Sequence, residues 1–185
     1  MKLILASKSP RRKQILSTLN IPFDVEVSDI VETIDESKPL RKEIEKLSFL
    51  KANEVFKKHE NDVVVGSDTI VTLNDIVLGK PKDRSDAYRM LNLLQGNKHT
   101  VITAVSIISK NMSETFSVIS DVYFYPLSDE EINKYLDSDE PYDKAGAYAI
   151  QGLFAKHIDH YEGAFDTVVG FPWDLIEAKL KAFAE

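Results

Sequence analysis

The sequence predicts an α/β fold with a mixed β-sheet and flanking helices. Short runs rich in Val, Ile and Thr occur between segments with helical spacing of apolar residues, in an irregular order that favours a mixed sheet. The chain has 185 residues, of which 43% are hydrophobic and 29% charged. This is ordinary globular composition, and the length suits one domain or two small lobes that share a core. We therefore predict a single domain over residues 1–185.

The first elements are a strand, a helix and a second strand. Residues 3–6 form a short apolar run, which predicts a buried strand. Ser9 and Pro10 are typical of a helix start, as N-cap and first helical residue, and the helix should extend to about Leu19. Residues 23–27 alternate between apolar and polar side chains, which predicts a strand.

The middle of the chain predicts two helices that enclose a strand pair. Residues 39–58 have the apolar spacing of a long helix, and residues 62–73 are rich in Val, Ile and Thr, as strands are. Asn and Asp at 74–75 predict a turn into a short strand at 76–78. Residues 83–94 predict another helix.

The last third predicts a hairpin and two helices. Residues 100–108 and 116–125 read as long strands joined through 110–111. Residues 128–136 begin with a capping-box pattern and predict a helix. After a stretch without clear periodicity, residues 172–183 predict an amphipathic helix.

Composition narrows the function classes. The net charge is −7, whereas a general nucleic-acid binder is normally basic, so we expect a small anionic ligand and no stable nucleic-acid partner. The chain has no cysteine, which excludes disulfides and Cys-based zinc sites and fits a cytoplasmic location. No apolar run approaches the ~20 residues that span a bilayer, so no membrane partner is expected.

The segment Ser-Lys-Ser-Pro-Arg-Arg-Lys at 7–13 places three cations in the first turn of a helix. The helix dipole already makes that end positive, so these cations are unfavourable there unless an anion binds. Hydroxyl groups, a helix N-terminus and arginines together suit a phosphate group. The alternative is a solvated basic patch.

Two further charged residues occupy apolar surroundings. Lys51 lies in the apolar stripe of the long helix, where its ammonium would either reach out to water or project towards a phosphate. Asp68 interrupts the most β-prone run of the chain, at 63–71. Such an aspartate is costly unless it is paired or binds a metal, or unless local backbone groups bond it in a bulge near Gly66.

Together these segments resemble the Maf family of nucleoside triphosphate pyrophosphatases. The resemblance follows the family's order over nearly the whole chain, through residues 5–12, 32, 51–52, 66–69, 79–81, 143–152 and 168–172. It implies a Maf/ITPase-like fold, an elongated mixed sheet with flanking helices and two lobes around a central cleft. It also implies a possible homodimer.

The resemblance also assigns roles to residues. Asp68 would be the catalytic proton acceptor, and Glu32 and Asp68 the metal ligands, with Mg²⁺ as the expected divalent metal cation and Mn²⁺ as a possible substitute. The positive charges that would neutralise a triphosphate are those of Arg11, Arg12, Lys51 and Lys80. The predicted substrate-binding residues are Ser7, Ser9, Arg11, Arg12, Lys51, Thr69, Lys80 and Gln151.

The function implied is hydrolysis of dTTP and UTP to the monophosphate and pyrophosphate, as house-cleaning of nucleotide pools. The loop at 143–152 has the form found in relatives that prefer these pyrimidines. One alternative is a non-catalytic nucleotide- or nucleic-acid-binding regulator of cell division. Another is a Maf relative that acts on modified purine triphosphates such as 7-methyl-GTP. Asp68 favours an enzyme, since a pure anion binder gains nothing from a carboxylate among its cations.

Overall fold

The computed structural model describes residues 2–18 and 21–183 and confirms a mixed α/β fold. Within these residues, seven strands form one sheet in the order β2-β1-β3-β5-β6-β7, with β4 paired to β3. The strands are β1 (Leu3–Ala6), β2 (Phe23–Val25), β3 (Val63–Leu73), β4 (Ile76–Leu78), β5 (Lys98–Ile108), β6 (Ser113–Phe124) and β7 (Ile158–Glu162). The helices are α1 (Pro10–Ser17), α2 (Leu40–Phe56), α3 (Arg84–Leu94), α4 (Asp129–Leu136), α5 (Phe165–Val169) and α6 (Trp173–Phe183).

The chain divides into two compact units. Unit 1 consists of the described parts of Met1–Asp68, Thr103–Val118 and Gly170–Glu185. Unit 2 consists of Thr69–Ile102 and Ile119–Val169. Strands β3, β5 and β6 each contribute residues to both units.

Unit 1 contains three parallel strands, which are covered by helices on both faces. Strand β1 pairs in parallel with β2 and with β3. Because side chains alternate along a strand, Leu3 and Leu5 face one side of the sheet and Ile4 and Ala6 the other. The first side packs against residues of α1 and α6, and the second against residues of α2.

Unit 2 is built from antiparallel pairs and an aromatic cluster. Asn74 and Asp75 both have positive φ in the turn between β3 and β4, as a two-residue type I′ hairpin turn requires. Strand β7 pairs antiparallel with β6. The aromatic cluster contains His99, Phe124, Tyr135, Tyr148, Phe154 and His157, whose rings contact one another in edge or tilted geometry.

Most predicted elements are confirmed within one to three residues at either end. The capping box of α4 is present with both of its hydrogen bonds, and β5 and β6 are sheet neighbours joined by a turn in which the Ser109 N–H donates to the Met112 carbonyl. The predicted second strand is shorter and ends at Val25, and Leu19, the predicted end of α1, lies outside the described residues.

The region from 137 to 171 differs from its prediction as a stretch without regular structure. It contains 3₁₀ turns, strand β7 and the short helix α5. Strand β7 is mostly exposed and its sequence has no apolar alternation, so its backbone pairing with β6 defines it. None of the helices in the described residues has the length and apolar character needed to cross a membrane.

Candidate active site

The N-terminus of α1 has the cap that the sequence predicts. Ser9 is the N-cap and its hydroxyl accepts a hydrogen bond from the Arg12 backbone N–H at 3.5 Å. The Ser7 hydroxyl accepts from the Ser9 N–H at 3.1 Å. The first turn carries no acidic residue, so the positive potential of this helix end is uncompensated within the turn. The arrangement suits an anion.

Arg12 is buried, which excludes a purely solvated basic patch for this residue. Its Nε donates to the Gly170 carbonyl at 2.8 Å, and its Nη1 donates to the Ser67 carbonyl at 2.7 Å and to the Ser7 hydroxyl at 3.3 Å. The guanidinium therefore connects the start of α1 to β3 and to the segment before α6. Its binding to phosphate stays a prediction.

Burial and three neighbouring charged side chains act on the pKa of Arg12. Burial lowers this pKa because it disfavours the charged form. The negative charge of Asp68 opposes this shift, as does that of Glu32 to a smaller extent, while the positive charge of Arg11 adds to it. These cations and carboxylates therefore act on one another electrostatically. Arg11 itself is partly exposed in the first turn of α1.

Lys51 does not extend to water. Its side chain is only 10% exposed, and its ammonium lies 2.7 Å from an Asp68 carboxylate oxygen and 2.9 Å from a Glu32 oxygen. The alternative in which Lys51 escapes the apolar stripe is therefore wrong. Asp68 is 16% exposed and Glu32 is 52% exposed, so one carboxylate is sheltered and the other half open to solvent.

Asp68 lies within the continuous strand β3, and its carboxylate pairs with a lysine seventeen residues away. The paired-carboxylate interpretation is thus the one the structure supports. Gly66 makes this pair possible, because a Cβ there would lie 2.8 Å from the Ser48 carbonyl oxygen and 2.9 Å from Ala52. Only a glycine lets β3 approach α2 so closely. The sequence signal for this role was a glycine within a strongly β-prone run.

The predicted site residues are distributed over both units. Unit 1 holds the residues of the phosphate and carboxylate groups, namely Ser7, Ser9, Arg11, Arg12, Glu32, Lys51 and Asp68. Unit 2 holds Thr69, Lys80 and Gln151. Thr69 is partly buried directly after Asp68, and the other two side chains are exposed.

Within unit 2, the two loops with family motifs contact each other. The Gly146 N–H donates to the Gly79 carbonyl at 3.1 Å, which joins the loop of Lys80 to the loop at 143–152. The buried His99 Nε2 lies 2.8 Å from the Tyr148 hydroxyl. No sequence pattern marks His99, because its role depends on contact with Tyr148, 49 positions away in the sequence.

The family is shown by comparison with known sequences. A family model described as Maf-like protein matches residues 2–183. The chain belongs to the Maf family. It is 44% identical over 182 residues to a Bacillus cytotoxicus protein named dTTP/UTP pyrophosphatase, with 98% of this chain and 95% of the relative covered. It is 48% identical over 178 residues to a Thermoanaerobacter protein of the same name, with coverage of 93% and 91%.

Solved structures support the Maf/ITPase-like fold. The Staphylococcus aureus Ham1 protein matches with a TM-score of 0.55 at 14% identity, over 98% of this chain and 99% of that one. At this identity the likeness concerns the fold alone.

In this Maf chain, the donor set fits a divalent cation only in part. Among the described residues, no group of three or more His, Cys, Asp or Glu side chains is placed to hold a metal. Glu32 and Asp68 are nevertheless held near one point by the Lys51 ammonium. Two carboxylates suit Mg²⁺, which is commonly bound by one or two carboxylates together with substrate phosphates.

Proposed function

We propose that this chain hydrolyses nucleoside triphosphates, with dTTP and UTP preferred, to the nucleoside monophosphate and pyrophosphate. The relatives' names support the activity. The single observation that carries it is the Asp68 carboxylate, largely sheltered from water and paired with Lys51 close to the buried Arg12. A carboxylate beside the predicted phosphate-binding cations would accept a proton from the attacking water.

The chemistry follows from these side chains. The N-terminus of α1 and Arg11 would bind phosphate oxygens, and Lys51 would neutralise charge that develops on them. Asp68 would accept a proton from a water molecule while the oxygen of that water forms a bond to the α-phosphorus. The bond between that phosphorus and the oxygen bridging to the β-phosphorus breaks, and pyrophosphate leaves with the bonding electrons. Fixed cations stabilise the leaving group without reorganisation.

A divalent cation, Mg²⁺ or Mn²⁺, belongs to this proposal. Glu32 and Asp68 would hold it, and when bound it would neutralise phosphate charge. Lys51 now contacts both carboxylates, so it would have to share them with the metal.

The base preference rests on the loop at 143–152. Uracil and thymine present two carbonyl acceptors that flank one N–H donor, and the amide of Gln151 both donates and accepts. Cytosine reverses the donor pattern at two positions, so a site built for uracil leaves polar groups unpaired against it. We therefore expect dTTP and UTP to exceed CTP, with purine triphosphates lower because of their size.

The rival function is a regulator that binds nucleotide without turnover. The sheltered Asp68 disfavours it, because a carboxylate near the phosphates weakens anion binding, and a protein that only binds gains nothing from it in return. A preference for 7-methyl-GTP is the second alternative, and a substrate panel decides it.

The deciding experiment follows hydrolysis in ¹⁸O-labelled water with Mg²⁺, over dTTP, UTP, CTP, GTP and 7-methyl-GTP. Attack at the α-phosphorus places the label in the monophosphate and releases unlabelled pyrophosphate. Label in orthophosphate, with a nucleoside diphosphate as the other product, would contradict the proposal.

Omission of the metal, with a chelator present, tests whether hydrolysis needs the divalent cation. Gln151→Ala should flatten the ranking, and a panel led by 7-methyl-GTP would refute the pyrimidine preference.

Three further expectations stay predictions. The family model's match over residues 2–183 supports a single Maf domain. A cytoplasmic location rests on the absence of cysteine, and a homodimer rests on the family resemblance alone.

A further inference from the structure

The loop that carries Gln151 contains a backbone conformation that side chains rarely adopt. Gly146 has φ +70° and Ala147 has φ +61°, and Ala147 is completely buried. A left-handed conformation is unfavourable for a residue with a Cβ, and such strain persists only where the surroundings determine it. The contacts around Ala147 are therefore informative about what this loop is shaped to do.

On the N-terminal side, the turn is held by a close approach and a hydrogen bond. A Cβ at Gly146 would lie 3.1 Å from the Val71 side chain, so β3 packs directly against this backbone. The Gly146 N–H donates to the Gly79 carbonyl.

Tyr148 is the main anchor of the loop. It is 5% exposed, and its ring lies edge-on against His99 and Phe124, with centroid distances of 5.3 and 4.8 Å. Its hydroxyl lies 2.8 Å from His99 Nε2. Among the described residues, no group hydrogen-bonds His99 Nδ1, which is buried.

This environment assigns the tautomer of His99. A buried lone pair without a partner is tolerated more readily than a buried N–H without one, so we assign the proton to Nε2, which donates a hydrogen bond to the Tyr148 hydroxyl oxygen. Burial lowers the pKa of His99 to about 3, so the ring is neutral near pH 7.

On the C-terminal side, Glu140 holds the backbone that follows Gln151. Its Oε1 accepts a hydrogen bond from the Leu153 N–H at 3.0 Å. A Cβ at Gly152 would lie 1.4 Å from the same oxygen, so the carboxylate occupies the space that a side chain would fill. Exposed Gln151 thus lies between two anchored points, Tyr148 and Leu153.

We infer that His99 and Tyr148 are positioning residues for base selectivity, which hold the backbone of 146–152 so that Gln151 meets the base in one fixed orientation. This rests on the proposed function. Neither residue needs to touch the substrate. Selectivity between similar bases depends on fixed hydrogen-bonding groups, because a mobile amide adapts to either donor pattern.

The test compares Tyr148→Phe, which removes only the hydroxyl, with His99→Leu and His99→Gln. The Gln amide N–H can replace Nε2–H as donor. Thr100→Val is the matched control, since it removes a 2.7 Å hydrogen bond to Asp121 from the residue after His99 without touching the loop. The readout is the ratio of kcat/KM for UTP to that for CTP, which does not depend on the folded fraction.

We expect Tyr148→Phe and His99→Leu to lower this ratio about tenfold, mainly through a higher KM for UTP, which corresponds to about 1.4 kcal/mol of lost discrimination. His99→Gln should retain most of the ratio, and Thr100→Val all of it. An unchanged ratio in Tyr148→Phe, or an equal loss in Thr100→Val, would overturn the inference.

Hydrogen exchange separates this inference from the proposed function. Amides of 146–152 should exchange faster in Tyr148→Phe than in the wild type, whereas Thr100→Val should not change them. If the wild type hydrolysed no triphosphate, the proposed function would fail. Exchange in the loop that is unaltered by Tyr148→Phe refutes the positioning role whatever the activity.

Discussion

Arg12 and Lys51 are buried cations whose partners come from distant parts of the chain. Arg12 donates to carbonyl groups of Ser67 and Gly170, and Lys51 pairs with Asp68. A buried charge is costly unless it is paired and hydrogen-bonded. Both side chains therefore contribute to the fold of unit 1 as well as to the proposed site, and substitutions must be designed to separate the two roles.

Asp68→Asn tests the proton acceptor. The amide keeps the shape of the side chain but cannot take the proton, so kcat should fall by roughly 10²–10⁴. Nucleotide binding, measured by calorimetry with a non-hydrolysable analogue, should persist or tighten because one negative charge near the phosphates is lost. Asp137→Asn is the control for net charge, since this carboxylate is 72% exposed and pairs with Arg84. Near-normal turnover by Asp68→Asn would remove Asp68 from the mechanism.

Arg11→Ala and Arg12→Ala should differ in their effect on stability. Loss of Arg12 leaves the Ser67 and Gly170 carbonyls without this donor, at roughly 1–3 kcal/mol for each buried group that is left unsatisfied. Loss of Arg11 removes a cation that opposes the α1 dipole, so the free energy of unfolding should stay unchanged or rise by about 0.3–1 kcal/mol.

Urea unfolding of both variants measures this difference, and KM for the triphosphate is measured on folded protein. Arg11→Ala that is as stable as the wild type but has a raised KM supports phosphate binding by Arg11. If Arg11→Ala is fully active at low substrate concentration, Arg11 does not bind phosphate and is a solvated surface residue.

The contact of β3 with α2 is the element-level feature that positions Lys51 beside Asp68. It depends on the missing side chain at Gly66, where a Cβ would collide with backbone atoms of α2. Local patterns predicted both elements, but the distance between them follows from packing of Ile4, Ala6 and Val64 against Ala52 and Val55.

Gly66→Ala should therefore destabilise the protein, by about 1–3 kcal/mol or more, because backbone atoms cannot yield as a flexible side chain would. Activity should fall as well, since α2 would shift relative to β3. Gly79→Ala is the matched control: nothing lies within 4 Å of a Cβ there, so stability should be unchanged or slightly higher. Thermal unfolding compares the two variants. Equal midpoints for Gly66→Ala and Gly79→Ala would mean that β3 and α2 move apart with no loss of stability.

Across the molecule, the dependence of stability on pH should reflect buried histidine. Burial lowers the pKa of His99 from 6.5 in the unfolded chain to about 3 in the folded protein, and the negative charge of Asp121 opposes this shift only in part. Below pH 6.5 the unfolded chain binds the extra proton, so stability falls as the pH falls, with a slope of up to ~1.4 kcal/mol per pH unit from this residue. Burial also lowers the pKa of His157, which acts in the same direction.

The measurement is the free energy of unfolding in urea between roughly pH 5 and 6.5, above the range where carboxylates dominate. His99→Gln should have a shallower slope than the wild type, whatever its stability at neutral pH. His157→Gln gives the second histidine's share for comparison. A slope that His99→Gln leaves unchanged would show that His99 titrates normally in the folded protein.

Sequence periodicity, caps and motifs were sufficient for the fold class, most elements and the family, because these depend on neighbours within one or two turns or on the order of motifs. Strand β7 was not predicted because its polar sequence has no local pattern, and the strand is defined by its backbone pairing with β6. The partners of the charged residues could not be predicted from the sequence, since Arg12 and Gly170 are 158 positions apart and meet only in the tertiary structure. The roles of Gly66 and His99 likewise depend on tertiary packing, in which a missing Cβ or a buried ring nitrogen acquires its meaning from residues far away in sequence.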